Sequence, residues 1–254
     1  AIIWGARILR RSSRTQLSNR DSRAAELTLL AGLVLVVAHW VIRNAVVMGR
    51  PIVTTTHGGY TLLLAHNSAY TQAVVEQPWG AVWEGEPQAN WVAAIESEMA
   101  RENPPIDAAR LSPAVELARD DWMSRKAWQF IHDEPVIAVR AGITLLRRLW
   151  NVVPLATDRT TRSTTVRLTI GVLYSGIFLA VLIGVARKRR ADWPAWRPVL
   201  VLIVSFTAVH SLYWADMRMR APLVPAIALL ATAGLSCRRD PNESAENRKP
   251  RDPH

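Results

Sequence analysis

Long apolar runs alternate with basic connectors along the chain, and this pattern predicts membrane-spanning helices. Residues 168–186 and 198–215 form runs of 19 and 18 residues without a charged side chain, and two further charge-poor runs cover 24–42 and 221–237. A helix needs about 20 mostly apolar residues to cross the hydrocarbon core of a bilayer. The pattern therefore predicts an all-α integral membrane protein with four transmembrane helices, three of them within 167–237.

The segment 43–166, between the first and second predicted spans, indicates a mainly helical domain. Residues 51–64 are rich in β-branched side chains around two adjacent glycines, which predicts two short extended pieces joined by a tight turn. Three helices are expected after them: over 88–102, from Ser112-Pro113 to about Asp133, and from Pro135 to Trp150.

The last of these three helices is predicted to be amphipathic. Its apolar stripe consists of Val136, Val139, Ile143, Leu146 and Trp150, with arginines at 140 and 147 beside it. A basic amphipathic helix that ends in Trp just before a span is typical of helices lying along the membrane interface. We therefore expect this part of the loop domain to rest on the bilayer.

The charge distribution indicates how the spans are oriented. The net charge is +10, yet residues 43–165 hold 12 basic and 13 acidic side chains, whereas residues 1–23 hold six Arg and one Asp. Arg187 to Arg190 form a second basic cluster directly after the second predicted span. Basic connectors favour the cytoplasmic side, so 43–166 is predicted to be extracytoplasmic. The excess of basic residues is then explained by the orientation of the spans in the membrane, and no nucleic-acid partner is expected.

The first residues of the chain suggest a larger membrane protein. The opening AIIWGARILRR places a few apolar residues before a basic cluster, which predicts the remnant of a fifth, upstream helix and a basic cytoplasmic loop over 1–23. We expect an N-terminal half to precede it. The polar segment 238–254 is predicted to be a disordered cytoplasmic tail.

Charged residues at the outer mouth of the last two predicted spans form a candidate anion site. His210, Asp216, Arg218 and Arg220 lie within 11 residues. Arginine forms forked hydrogen bonds to phosphate oxygens, and a lipid-linked phosphate would lie at this depth. The alternative is a short hydrated turn whose arginines reach up to lipid headgroups.

A second group of residues follows the first predicted span. Arg43 and Asn44 lie at its outer end, and Gly58, Gly59 and Asn67 follow in the loop. Adjacent glycines let a backbone approach a ligand closely or take up a tight turn. The spacing of the histidines matches no known metal-ligand pattern, so the sequence gives no support for a metal or other cofactor.

Together these stretches resemble a family of polytopic membrane enzymes. The order Trp40-x-Ile-Arg-Asn, Gly49-x-Pro, Gly58-Gly-Tyr-x-Leu and Asp216-x-Arg-x-Arg-x-Pro-x-x-Pro is similar to the C-terminal half of GT-C glycosyltransferases. The nearest branch is that of protein mannosyltransferases and lipid A aminoarabinose transferases, also described as glycosyltransferase family 39.

The resemblance implies a bacterial inner-membrane enzyme that moves a sugar from a polyprenyl-phosphate donor to an extracytoplasmic lipid, glycan or protein acceptor. It implies donor-phosphate binding by Arg218 and Arg220, supported by His210 and Asp216. The residues of the second group would shape the acceptor side or serve the structure. The catalytic base would be a carboxylate upstream of residue 1, so no catalytic residue is assigned within the chain.

Two other classes of protein fit the same pattern. One is a polymerase or flippase of lipid-linked glycans. The other is a membrane-anchored module in which 43–166 binds an extracytoplasmic partner. A transferase is expected to pack 43–70 against the 216–222 turn, whereas an anchored module would keep its loop domain apart from that turn.

Overall fold

A computed structural model describes residues 19–102, 106, 112–155, 163–187 and 193–235 of the chain. The predicted tail 238–254 and the predicted helix remnant before residue 19 lie outside these residues. The regular elements of the described part are α1 Asn19–Met48, α2 Gly58–Ala65, α3 Ser68–Tyr70 continuing as a π turn over Thr71–Val75, α4 Glu86–Ala100, α5 Pro113–Asp133, α6 Pro135–Leu149, α7 Thr164–Ala186, α8 Trp193–Val209, a 3-10 segment Met217–Leu223 and α9 Val224–Leu235. The prediction of an all-α chain is confirmed for the described residues.

Two helices of the described residues are long and apolar enough to cross a membrane. They are the 19-residue stretch Leu30–Met48 within α1 and the 23-residue helix α7. Large apolar side chains on both helices are exposed, among them Leu35 and Val172, as expected for surfaces that face lipid. The helices of the other two predicted spans are shorter: the apolar part of α8 covers Trp196–Val209, and α9 has 12 residues.

The chain divides into two compact units. The first comprises residues 1–56 and 111–117, and the second comprises 57–110 and 118–254. In the first unit, α1 ends where Gly49 takes a φ of +72°, a left-handed conformation that ends a helix at little cost only for glycine. At the other end of this unit, the Ser112 hydroxyl accepts a hydrogen bond from the Val115 amide at 3.3 Å and caps α5, as predicted.

The second unit is built around a core of aromatic and aliphatic side chains. Helices α2 to α6 each contribute to this core; its buried members include Leu62, Tyr70, Trp91, Met99, Trp122, Leu145 and Leu149, and Trp83 joins them from the loop before α4. Three aromatic rings form a continuous edge-to-face stack: Tyr70 lies 5.8 Å from Trp83, which lies 5.8 Å from Trp91.

The prediction of two extended pieces over 51–64 was wrong. The chain forms helix α2 from Gly58 to Ala65, and the two glycines begin it. The amide of Gly59 donates a hydrogen bond of 2.6 Å to Asp120 Oδ1. A carboxylate accepting from the first turn of a helix satisfies a donor that has no partner within the helix and interacts favourably with the positive end of the helix dipole.

Helix α6 has two different apolar faces. The face toward the core is made of small and aliphatic residues, with Ala141 and Leu145 fully buried. The predicted stripe divides: Val136, Val139 and Ile143 are each more than half exposed, whereas Trp150 packs on a ring of α7, 5.9 Å from Phe178. An apolar surface of α6 therefore remains uncovered by the described part of the unit.

Helices α7 and α9 pack along each other. Small residues lie on the buried side of both, namely Ala180 and Gly184 of α7 and Ala226 and Ala231 of α9. Small side chains allow two helix backbones to approach closely, and the resulting van der Waals packing favours association between helices in lipid.

Candidate functional site

The connector between α8 and the 3-10 segment, residues 210–216, is fixed to the loop domain by backbone contacts. The Trp214 amide donates to the Thr61 carbonyl at 3.1 Å, and His66 Nε2 lies 2.8 Å from the Leu212 carbonyl. Burial lowers the pKa of His66, partly offset by the bond to Leu212, so the ring is neutral and donates from Nε2. Helix α2 thus docks on the connector just before the predicted 216–222 turn.

A glycine permits a second close approach to the connector. At Gly142 of α6, an added Cβ atom would lie 2.8 Å from the Ser211 carbonyl oxygen, well inside the ordinary contact distance. Only a residue without a side chain therefore allows the α6 backbone to come this near. The connector is positioned by both α2 and α6.

Asp216 and Arg218 form an ordered pair at the start of the 3-10 segment. The Asp216 carboxylate accepts from the Arg218 amide at 2.7 Å and from Arg218 Nη2 at 3.0 Å. The Arg218 side chain is 89% exposed. The hydrogen bond and charge of Asp216 raise the pKa of Arg218. The result is a permanent, exposed cation held in one orientation by its own capping residue.

Arg220 lies in a different environment. It is 1% exposed, and its Nη1 donates to the carbonyls of Leu149 at 3.1 Å and Asn151 at 2.7 Å. Its guanidinium lies 4.2 Å from the centre of the Tyr174 ring, a cation–π geometry. Arg220 therefore satisfies the C-terminus of α6 and holds it against α7, and the two arginines do not present one shared surface.

His210 is also separate from the Asp216–Arg218 pair. Its Nδ1 lies 2.9 Å from the Phe206 carbonyl, one turn earlier in the chain, and its ring stacks on Phe206 with centroids 4.1 Å apart. These contacts extend the end of α8 by one turn. The structure thus brings together only two of the four residues predicted to bind the donor phosphate.

The predicted residues near the first span have contacts that organise the backbone. The Asn44 side chain is buried and donates to the Ile52 carbonyl at 2.9 Å, which folds the chain back on α1. Arg43 lies 5.5 Å from the Trp40 ring and 3.2 Å from the Asn44 side-chain oxygen. The sequence predicted either an acceptor-side role or a structural role for Arg43 and Asn44, and these contacts fit the structural role.

Gly58, Gly59 and Asn67 take part in forming α2 and α3. Asn67 caps α3, since its Oδ1 accepts from the Tyr70 amide at 2.7 Å while its Nδ2 donates to the Leu63 carbonyl at 2.8 Å. Gly59 lies so close to α5 that an added Cβ atom would be 2.2 Å from the Asp120 carbonyl oxygen, whereas an added Cβ at Gly58 meets nothing within 4 Å. Gly59 serves packing here.

Sequence reasoning missed a cluster of aromatic and polar side chains beside the connector, which consists of Tyr70, Trp83, Arg148 and Trp214 and is called the Tyr70–Arg148 cluster below. Tyr70 is fully buried and meets the Trp214 ring edge-on at 5.7 Å. Arg148 is 7% exposed, lies 6.0 Å from both of those rings, and donates from Nη2 to the Ala81 carbonyl at 2.5 Å.

The charges of this cluster are linked to the Asp216–Arg218 pair. Burial raises the pKa of the Tyr70 hydroxyl to about 12 and lowers the pKa of Arg148, while Tyr70 and Asp216 favour the charged form of Arg148. Glu84 likewise favours the charged form of Arg218. Arg148 and Arg218 therefore interact electrostatically with the carboxylates of Asp216 and Glu84, and the four formal charges sum to zero.

A signal for Arg148 was present in the sequence. It follows Ala141 by seven positions and Leu145 by three, so a helix starting at Pro135 places it on the core face and not on the outer stripe. A charged side chain on a buried face is uncommon without a partner.

Comparison with known proteins gives no relative for this chain. No protein-family model, curated protein or solved structure matches it. Within the described residues, no group of three or more His, Cys, Asp or Glu side chains is arranged to hold a metal ion. The site consists of an exposed, oriented cation between two apolar helices, beside a buried cluster of aromatic and polar side chains.

Proposed function

We propose that the chain is part of a GT-C type membrane glycosyltransferase, which moves a sugar from a polyprenyl-phosphate donor to an extracytoplasmic acceptor. The observation that carries the proposal is the Asp216–Arg218 pair, an exposed guanidinium held in place between the apolar helices α8 and α9. Arginine in such a position binds the oxygens of a lipid-linked phosphate by forked, charge-assisted hydrogen bonds.

The proposed topology has four transmembrane spans in a bacterial inner membrane. Two of them correspond to α1 and α7; the other two are α8 with the connector after it, and the 3-10 segment continuing into α9. The basic clusters then lie in the cytoplasm, and Arg218 faces the extracytoplasmic headgroup region together with the loop domain. A phosphate that anchors a sugar to a lipid lies at this depth.

The loop domain is proposed to rest on the outer leaflet through the exposed face of α6. This face combines the exposed side chains of Val136, Val139 and Ile143 with those of Arg140 and Arg147, and such a surface favours an anionic membrane interface. The face ends near Arg220, which ties the end of α6 to α7. In this arrangement Arg220 positions the site and Arg218 contacts the donor phosphate.

The proposed function is tested by sugar transfer in proteoliposomes containing the full-length protein and a polyprenyl-phosphate sugar. Arg218→Ala is expected to lower transfer about a hundredfold, because a donor that stabilises developing charge at the transition state contributes about 3 kcal/mol. Arg218→Lys keeps the positive charge but lacks the two parallel donors of a guanidinium. Its transfer rate should therefore lie between those of the unaltered protein and Arg218→Ala.

Arg125→Ala on α5 is the matched control, since it removes another exposed arginine far along the chain from the pair. It should leave transfer unchanged, and all variants should insert equally into the membrane. Unchanged turnover in Arg218→Ala would show that the guanidinium does not bind the donor.

A further inference from the structure

The exposed side of helix α6 combines apolar and basic side chains within one narrow arc. Val136, Val139 and Ile143 are each more than half exposed, and the exposed side chains of Arg140 and Arg147 follow Val136 and Ile143 by four residues each. At 3.6 residues per turn, all five lie within about 100° of the helix circumference. The opposite side of α6 is buried in the core, so this arc is the surface that α6 offers to a partner.

A tryptophan from another segment extends this surface. Trp79, between the π turn and α4, is 46% exposed, and the Arg147 guanidinium lies 4.3 Å from the centre of its ring. This cation–π contact holds the Arg147 side chain at the surface, and tryptophan is enriched where a membrane meets water. The term basic α6 face is used below for the side chains of Trp79, Val136, Val139, Arg140, Ile143 and Arg147.

The two arginines decide which partner fits the face. Neither Arg140 nor Arg147 forms an ion pair with an acidic side chain of the described residues. Covering the face with hydrocarbon alone would leave both guanidinium groups without a counter-charge, which is costly. Phosphates of lipid headgroups supply that counter-charge, while the aliphatic side chains of the same arc enter the boundary of the acyl chains. The mixture therefore fits the surface of an anionic phospholipid bilayer.

The same helix also fixes the segment that carries Arg218. The α6 backbone approaches the Ser211 carbonyl closely at Gly142. Arg220, two residues after Arg218, donates to two backbone carbonyls at the C-terminal end of α6. Because α6 is attached to this segment at two points, the depth of α6 in the headgroup region and the depth of the Arg218 guanidinium change together.

We infer that the basic α6 face binds anionic phospholipids, and that this binding activates the protein by setting the depth of Arg218. The lipid is an activator and not a substrate: its phosphate accepts hydrogen bonds from Arg140 and Arg147, and Trp79 lies at headgroup level. The inference rests on the proposed function for the reaction that is activated, whereas the preference for anionic lipid depends only on the face.

The first test measures which lipid surrounds the face, in nanodiscs that contain the full-length protein and equal amounts of phosphatidylglycerol and phosphatidylcholine. A fluorophore is attached through Ile143→Cys, in a background without the native cysteine, and only one of the two lipids is brominated in each preparation. An arginine near an anionic membrane surface strengthens binding about fivefold, so brominated phosphatidylglycerol should quench the label about twofold or more above brominated phosphatidylcholine. A label on Val172→Cys of α7, exposed to bulk lipid, should be quenched equally by both.

A matched pair of double variants shows whether the arginines cause the preference. Arg140→Gln with Arg147→Gln should make quenching by the two lipids equal. Arg101→Gln with Arg125→Gln changes the net charge by the same amount at two exposed positions outside the face, and it should keep the preference. Sodium chloride at high concentration should weaken the preference of the unaltered face, because salt screens exposed charges.

Activation is tested by sugar transfer in the same nanodiscs. Transfer should be severalfold faster with phosphatidylglycerol than in phosphatidylcholine alone, and the variant without Arg140 and Arg147 should lose this dependence. Transfer that is independent of phosphatidylglycerol would overturn the activating role.

Two results of the quenching experiment would overturn lipid binding. Equal quenching by both lipids at position 143 would mean that the arginines do not select anionic lipid, and quenching by neither would mean that protein covers the face. Because quenching is measured without turnover, it gives an answer even for a protein that transfers no sugar. A failure of the proposed function is therefore distinguishable from a failure of lipid binding.

Discussion

The contact of Gly59 with α5 gives a sharp prediction about stability. In Gly59→Ala the new methyl group would lie 2.2 Å from the Asp120 carbonyl oxygen and 2.9 Å from the Ser124 amide nitrogen. Both are backbone atoms, which cannot rotate aside as a side chain can. An ordinary contact would require α2 and α5 to separate by about 1 Å, because carbon–oxygen contacts below 3.4 Å are rare.

The cost has two parts. Overpacking of this kind costs about 1–3 kcal/mol, and separation of the helices also breaks the 2.6 Å hydrogen bond from the Gly59 amide to Asp120, a charged bond worth about 1.5–3 kcal/mol. The expected loss is about 4 kcal/mol. In a protein of this size that lowers the unfolding temperature by roughly 10 °C.

Gly58→Ala is the matched control, because its added methyl group meets no atom within 4 Å and alanine has the higher helix propensity. It should leave the unfolding temperature unchanged or slightly raised. The assay is thermal unfolding of both variants in the same detergent, followed by tryptophan fluorescence and by size-exclusion chromatography. Equal unfolding temperatures for the two variants would refute the close packing of α2 on α5.

Three further outcomes are expected. Burial holds the pKa of His66 below 6.5 in the folded protein, so below pH 6.5 the unfolded chain is protonated at this residue while the folded protein is not. The free energy of unfolding keeps its full value above pH 6.5 and falls below that pH, by up to about 1.4 kcal/mol per pH unit. His66→Gln should flatten the unfolding temperature between pH 7.5 and 5.5, and an unaltered slope would contradict this assignment. Arg220→Met removes two charge-assisted bonds to carbonyls and should cost about 3 kcal/mol in thermal unfolding, whereas Arg218→Met should cost little; equal losses would argue against the structural role of Arg220. An environment-sensitive fluorophore on Val139→Cys, in a background without the native cysteine, should be quenched by brominated lipid, and the same label on Arg125→Cys should not; equal quenching would place α6 away from the bilayer.

The helices were predictable where local sequence determines them. Ser112-Pro113 and Pro135 are strong helix starts, and α5 and α6 begin at those prolines. The end of α5 at Asp133 was predicted as well, two residues before Pro135. Both features depend on residues that are adjacent in sequence, which is the information a single chain carries most clearly.

The segment 51–64 shows what local sequence could not reveal. Adjacent glycines and β-branched residues favour an extended hairpin, but Asp120, some 60 residues later, accepts from the Gly59 amide and the α5 backbone occupies the space beside it. A tertiary contact thus outweighs the local preference. Nothing in residues 51–64 themselves indicates that partner.

The candidate site divides in the same way. The sequence placed Asp216 and Arg218 together because they are two residues apart. It could not separate Arg218 from Arg220, since the carbonyls of Leu149 and Asn151 that hold Arg220 lie some 70 residues earlier. Tyr70 and Arg148 are likewise distant in sequence and meet only in the folded core.

The close approaches at Gly59 and Gly142 also set limits on how this sequence can diverge. At each, any side chain would collide with backbone atoms of another segment, whereas Gly58 and Gly176 have open space around the missing Cβ atom. Descendants of a common ancestor should therefore retain glycine at 59 and 142 over long periods and accept alanine or serine at 58 and 176. A close approach between two backbones is therefore expected to give Gly59 a lower substitution rate than its neighbour Gly58.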